Sequence, residues 1–454
     1  MTERAGEGPL WPAVRVETLG HLQRLLRLVT VNPPGNEIVA ARYLEEVFHD
    51  AGIEVRVLEP APGRAAVLAR LGGNGSRRPV LLVAHMDVVG VTPDEWSVDP
   101  FGAVVKDGYL YGRGAIDDKG MLAANLQTML LIKRWVVDAG DVLQRDVVFL
   151  ASSDEETGGE WGLGWLITDH PELLDAEFAI NEGGRTRIVG GRPLYLAVQS
   201  AEKVSHVVRM VASGAGGHAA VPLADNAVLR LGRALAAIGG HREPLTLGPT
   251  TEGFFASLSK VWPDSREGVA MSDLVSGDGE RRARAALILA TNPVFDAILR
   301  NGISPVMLEA GIRHNVIPTE ASATLNIRTL PGQSLDDVIA RLRRSVDDPQ
   351  LRFDVVERSA ADPPASPVDS SMFSAIAESS RDLDPDLVVV PYLSAGATDS
   401  ARLRAIGIQS YGILPFPMEQ ADEQRMHGND ERIPIESLHF GVRLIYGAIR
   451  RIAT

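Results

Sequence analysis

No cysteine occurs among the 454 residues, which removes disulfides, thiol nucleophiles and thiolate metal sites together. Any metal must be held by histidine or carboxylate. Positive charge is also in short supply: 45 Lys and Arg face 59 Asp and Glu, a net charge of −14. Such an acidic surface argues against nucleic acid or an anionic membrane as the main partner. No apolar run approaches the roughly 18 residues that span a bilayer, and residues 1–8 contain no apolar leader segment, so a cytoplasmic enzyme is expected. What is present is ordinary: 45% apolar and 23% charged residues describe a globular protein and exclude a mostly disordered or collagen-like chain. At this length two or three domains are expected.

Leu22, Leu25, Leu26 and Val29 recur at helical spacing and stop at Asn32-Pro33-Pro34-Gly35-Asn36, which cannot continue a helix. Short apolar runs at 80–84, 147–151 and 178–180, separated by segments such as the helical 121–132, read as buried strands of a largely parallel α/β sheet. After about residue 200 the texture becomes alternating. Val204, His206, Val208 and Met210 share one strand face, and Val228, Leu231, Leu235 and Ile238 follow at helical spacing. The pattern recurs with Ala321, Ala323, Leu325 and Ile327, then Leu335, Val338, Ile339 and Leu342. Strand and helix twice over predict a small α+β domain at 201–360, closing in the Ala- and Pro-rich 360–367. Strands at 387–390 and 406–413 return to the first texture. The expected fold is therefore an α/β domain built from 1–200 and 361–454 and interrupted by the small domain.

His85 and Asp87 lie two apart at the end of the first run, so an extended chain sends both to one face. Alone, such a pair is more often structural than functional. Gly112-Arg113-Gly114-Ala115-Ile116-Asp117-Asp118-Lys119-Gly120 delivers two acids at a helix start, where a cap is the bland explanation. It lacks the spacing of a phosphate-binding or dinucleotide loop, which counts against a nucleotide-dependent ligase or kinase. Asp154-Glu155-Glu156-Thr157 follows the second run and Asn181-Glu182-Gly183-Gly184 the third. Three strand ends thus carry His or carboxylates, at the place where open α/β sheets bind ligands. Unneutralised, these acids repel one another. A pair of divalent ions resolves the conflict, and oxygen and imidazole donors without sulfur suit zinc, with cobalt or manganese as substitutes.

These stretches, with Asn32-Pro33-Pro34-Gly35-Asn36-Glu37, Gly217-His218 and Met426-His427-Gly428, resemble the dinuclear zinc aminoacylase and carboxypeptidase family over nearly the whole chain. The resemblance implies a zinc-peptidase-like catalytic domain interrupted by a lid or dimerisation domain, and two Zn2+ per chain. His85 and Glu182 would hold one ion, Glu156 and His427 the other, and Asp117 both. Glu182 stands where some relatives have Asp. For His427 the alternatives are His21, His170, His206, His241, His314 and His439. Asp87 would orient His85, and Glu155 would be the general base. His218, otherwise a turn histidine beside glycines, would stabilise the oxyanion, in some relatives across a homodimer. Asn315 and Arg328 would contact the substrate, a guanidinium suiting a free carboxylate. The implied activity is cleavage of an amide bond adjacent to a free carboxylate in a small molecule or short peptide. A catalytically silent binding relative is the alternative, against which the full ligand set and intact base count.

Overall fold

The computed structural model describes residues 8–276, 278–359 and 362–454. The expectations for residues 1–7, and for 360 and 361 in the closing boundary, fall outside the described residues. The chain divides into two compact units. One comprises the described residues through Ser200 with Ala365–Tyr392 and Thr398–Thr454; the other comprises Ala201–Pro364 and Leu393–Ala397.

The first unit is built on a ten-stranded sheet. Its centre is parallel: Val80–His85 lies between Val147–Ser152 and Phe178–Asn181, and Gln409–Gly412 runs beside the last of these. The flanks are largely antiparallel, with Glu54–Ala61 and Arg64–Leu71 on one side and Arg185–Val189 and Arg192–Glu202 on the other. Within the central strands, alternate side chains go to opposite cores. Val80, Leu82 and Ala84 pack with the helices Trp11–Leu26, Lys119–Ile132 and Ile435–Ala453, whereas Leu81 and Val83 join Leu163, Leu166 and Leu403 on the other face. A strand covered on both faces needs apolar residues at every position, which is why these runs are continuous rather than alternating.

Register aligns the strand ends. His85 pairs with Ser152, Leu82 with Ile180 and Gly412 with Asn181, so the polar motifs that follow these strands emerge along one edge of the sheet.

The second unit is a four-stranded antiparallel sheet in the order Gly302–Ala310, Glu320–Thr329, Val204–Ser213, Leu351–Arg358. The amphipathic helices Ala227–Gly240 and Leu335–Val346 bury Leu231, Ile238, Val338 and Leu342 against Val208, Met210, Ala323 and Leu325. Between Ala227–Gly240 and Gly302–Ala310 the described residues form four more helices, Pro249–Val261, Arg266–Val275, Gly279–Leu289 and Pro293–Leu299, in which Phe254, Phe255 and Phe295 meet edge to face at 5.1–6.1 Å.

Two local expectations are corrected. The first helix ends at Leu26, leaving Val29 outside it and 48% exposed, because the chain there turns to bridge Val31 to Val88. The run 406–413 is not one strand. The helix Asp399–Ala405 is stopped by Gly407 at φ +87°, and pairing begins only at Gln409. Among the described residues no helix is long and apolar enough to cross a membrane.

Candidate metal centre

His85 ends its strand fully buried, with Nδ1 3.0 Å from the Asp87 carbonyl and 3.4 Å from the Asp87 carboxylate. Both neighbours are acceptors, so Nδ1 holds a proton and Nε2 is the nitrogen left to ligate an ion once it gives its own proton up. That nitrogen lies 3.0 Å from Asp117 Oδ1 and 3.9 Å from Glu182 Oε1. The other oxygen of Asp117 lies 3.0 Å from His427 Nε2, which is in turn 3.3 Å from Glu156 Oε2. Two groups with metal-ligand geometry result, His85–Asp117–Glu182 and Asp117–Glu156–His427, each with its donor atoms within 4.8 Å of one another. Asp117 belongs to both.

The Asp87 carboxylate does more than face His85. It accepts the backbone N–H of Glu155 at 3.2 Å, that of Glu156 at 3.1 Å and the Asn32 amide at 2.8 Å. One buried acid therefore holds both the first histidine and the turn that presents Glu155 and Glu156. That turn opens on Asp154 at φ +67°, a left-handed conformation supported by bonds from Asn32, Thr157 and the Trp161 N–H to its carboxylate. Asn32 also accepts from Arg64, whose guanidinium pairs with Glu37 at 2.6 Å. Asn32 and Glu37, the buried ends of their motif, thus form the scaffold behind the turn. Beyond Glu182, Gly183 sits at φ +117°, and a Cβ there would lie 1.8 Å from Gln199 Oε1, so only glycine lets the chain pass.

Electrostatically the cluster is overloaded with negative charge. Burial and mutual repulsion push the carboxyls of Glu155, Glu182 and Asp118 well above the usual range. His85 is raised as well: despite burial, which lowers it, bonds to Asp117 and Asp87 hold it well above neutral. His427 is raised to about 10 by Asp117 and Glu156. Among the described residues Glu156 Oε1 is buried with no hydrogen-bond partner. An orphaned oxygen, a buried imidazole among acids and acids that cannot all ionise are what a site looks like when its donors await cations. The residues present fit a pair of divalent ions.

Sequence reasoning missed Asp399. It is buried, bonded by Ser152 Oγ at 3.1 Å, and raised to about 6 by burial; its charge acts on Glu155. The signal was available, since Thr398-Asp399 follows the strand Val388–Ser394 as the other acids follow theirs.

His218, Asn315 and Arg328 lie in the second unit. His218 pairs with Val316 in a two-stranded ribbon, and the Ala219 N–H bonds the Asn315 carbonyl at 3.1 Å, so His218 and Asn315 are neighbours. The Ala220 N–H donates to His218 Nδ1 at 3.1 Å, which leaves the proton on Nε2. Arg328 donates from Nε to Asn326 at 3.0 Å, and its Nη1 is buried without a partner among the described residues. Three of the alternative histidines are otherwise engaged: His21 with Tyr43, His206 with Thr329, and His241 with Glu243 and Ser345.

The sequence is 28% identical to the probable carboxypeptidase S-like 2 of Dictyostelium discoideum over 84% of this chain and 72% of that one. It is 26% identical to the human N-fatty-acyl-amino acid synthase/hydrolase PM20D1 over 84% and 76%. The fold superposes on an M20 family metallo-carboxypeptidase of Sulfolobus solfataricus with a TM-score of 0.67, at 20% identity, covering 96% of this chain and 99% of that one. The pattern of peptidase family M20/M25/M40 matches residues 81–451, a stretch that holds both candidate ligand groups, and the chain belongs to that family of metal-dependent amide hydrolases.

Proposed function

We propose that the protein uses two divalent ions, zinc in the first instance and cobalt or manganese as substitutes, to hydrolyse an amide bond adjacent to a free carboxylate. The observation that carries this reading is the pair of ligand groups sharing Asp117, with the unpaired Glu155 beside them. His85 and Glu182 would hold one ion, Glu156 and His427 the other, and Asp117 would bridge. Bound there, the ions would supply Lewis-acid polarisation of the scissile carbonyl and acidify the attacking water.

The rest of the chemistry falls to side chains. Glu155, whose carboxylate makes no hydrogen bond among the described residues and whose pKa is raised, takes the water's proton as the C–O bond forms. It returns that proton to the amine nitrogen as the C–N bond breaks. Asp87 keeps His85 in the tautomer that frees Nε2. His218, with its proton on Nε2, is assigned the oxyanion, and Arg328 and Asn315 the substrate carboxylate. Two cations support that last assignment: Lys203 is buried without an ion pair among the described residues and is lowered to about 8 by burial and by Arg328, which itself has an orphaned Nη1. An anion would settle both.

Relatives named as carboxypeptidase and as N-fatty-acyl-amino acid hydrolase guide the substrate panel: N-acyl amino acids of increasing acyl length, dipeptides, and the C-terminal amide of each. Free carboxylates should turn over and their amides should not. Equal turnover of acid and amide would contradict the carboxylate requirement.

A further inference from the structure

Glu431 is fully buried, and its carboxylate is saturated. Oε2 accepts from Arg113 Nη1 at 2.6 Å and from the Gly114 N–H at 3.0 Å; Oε1 accepts from the N–H groups of Ile116 at 2.7 Å and Asp117 at 3.1 Å. Arg113 is equally buried, with its guanidinium over the Trp96 ring at 5.3 Å. Its Nη2 donates to the carbonyls of His427 at 3.3 Å and Gly428 at 2.9 Å. One ion pair therefore grips the backbone of Asp117 through Glu431 and the backbone of His427 through Arg113.

The two ends need such a link. Asp117 is embedded in the core, whereas the His427 side chain is 51% exposed and its backbone is left-handed at φ +59°. Packing fixes one ligand but not the other, and donor atoms must agree to a few tenths of an ångström for an ion to bind well. A buried ion pair adds little net stability over apolar residues of the same shape. Here both partners instead direct their remaining hydrogen bonds at the backbones of Asp117 and His427 and of the residues beside them, as groups that orient metal ligands do.

We propose that Arg113 and Glu431 are a positioning pair that sets His427 against Asp117, with Arg113 tuning affinity for the ion of the Asp117–Glu156–His427 group alone and Glu431, through the shared Asp117, tuning both. The proposal rests on the two-ion reading above. The test is a titration of the metal-free full chain with Zn2+ against a competing chromophoric chelator, with melting temperature recorded on the same samples. His427→Ala identifies the binding step that belongs to this group. Arg113→Lys keeps the charge opposite Glu431 but loses the fork that also reaches the His427 carbonyl. It should weaken that same step by about 10–100-fold and leave the other unchanged. Glu431→Gln, a second variant should Arg113→Lys fold poorly, should weaken both steps, because Asp117 serves both groups. Unchanged affinities in both variants would overturn the proposal. So would a loss in Arg113→Lys that falls equally on the two steps and follows the melting temperature. If the unaltered chain itself shows no two-step binding, the two-ion reading fails first, and the proposal with it.

Discussion

Asp117 offers its two oxygens to two histidines at 3.0 Å each, while the carboxylate of Glu155 meets no hydrogen-bond donor among the described residues, and this contrast separates a ligand from a base. Glu155→Gln should keep its metal yet lose about 10²–10⁴-fold in turnover, whereas Asp117→Ala should lose metal and activity together. Metal analysis and initial rates on the same preparations decide it, and near-normal activity in Glu155→Gln would remove Glu155 from the reaction.

The same charges give the metal-free protein a definite pH dependence. A carboxyl with a raised folded pKa holds its proton more tightly folded than unfolded, so its contribution is present at low pH and lost as pH climbs from about 4 through the raised value. Glu155, Glu182, Asp118 and Asp399, the last at about 6, all act in this sense. His85 and His427 do too, their contributions being complete below about 6.5 and lost as pH rises, towards about 10 for His427. Asp87 and Asp117, lowered by their histidines, work the other way, and their contributions are lost only below about pH 4. Without metal the melting temperature should therefore fall between about pH 5 and 8, and added Zn2+ should raise it more at the upper end of that range. A flat metal-free profile would contradict the charge cluster described here.

Among the elements, the central strands were legible because burial on both faces leaves a continuous apolar run, and each was read one residue short. His85, Ser152 and Asn181 still pair in the sheet, but their polarity ends the apolar signal at the very position where function begins. Helices were harder to read. The Asp399–Ala405 helix, in the gap between the strands expected at 387–390 and 406–413, was not read at all, and with it went Asp399. Of the four described helices between Gly240 and Gly302, three carry start signals in Ser265, Asp278 and Asn292, each of which caps its helix, but no long apolar period accompanies those caps.

Two element-scale predictions follow from the second unit. With its Nδ1 occupied by the Ala220 N–H, His218 can act only as a donor from Nε2. His218→Ala should thus lower turnover by about 10²–10³-fold with metal content unchanged, and full activity would refute an oxyanion role. The strand Gly302–Ala310 is the edge of its sheet, with Val306, Met307 and Leu308 exposed and Ile312 beside it. Unpaired backbone next to exposed apolar side chains suits a second copy of the chain. Light scattering should give twice the chain mass, and Leu308→Lys should shift it towards the monomer. A monomer at all concentrations would exclude this homodimer.

For the molecule as a whole, the candidate ligands come from segments spread between residues 85 and 427: the sheet register aligns the strand ends that carry His85, Glu156 and Glu182, and Asp117 and His427 meet them there from other loops. The family resemblance implied the candidate ligands, and the structure brings the donor atoms of those five residues into two groups. The sequence did not indicate the Arg113–Glu431 tie, because a buried ion pair more than 300 residues apart in the chain leaves no local pattern. The account stands on two ions making one hydrolytic site, and the most direct measurement is stepwise return of Zn2+ to chelator-treated protein while hydrolysis of an N-acyl amino acid is followed. It predicts no hydrolysis without metal and full activity at two equivalents per chain. Activity that survives chelation, or a chain that takes up no ion when Zn2+ is in excess, would contradict it.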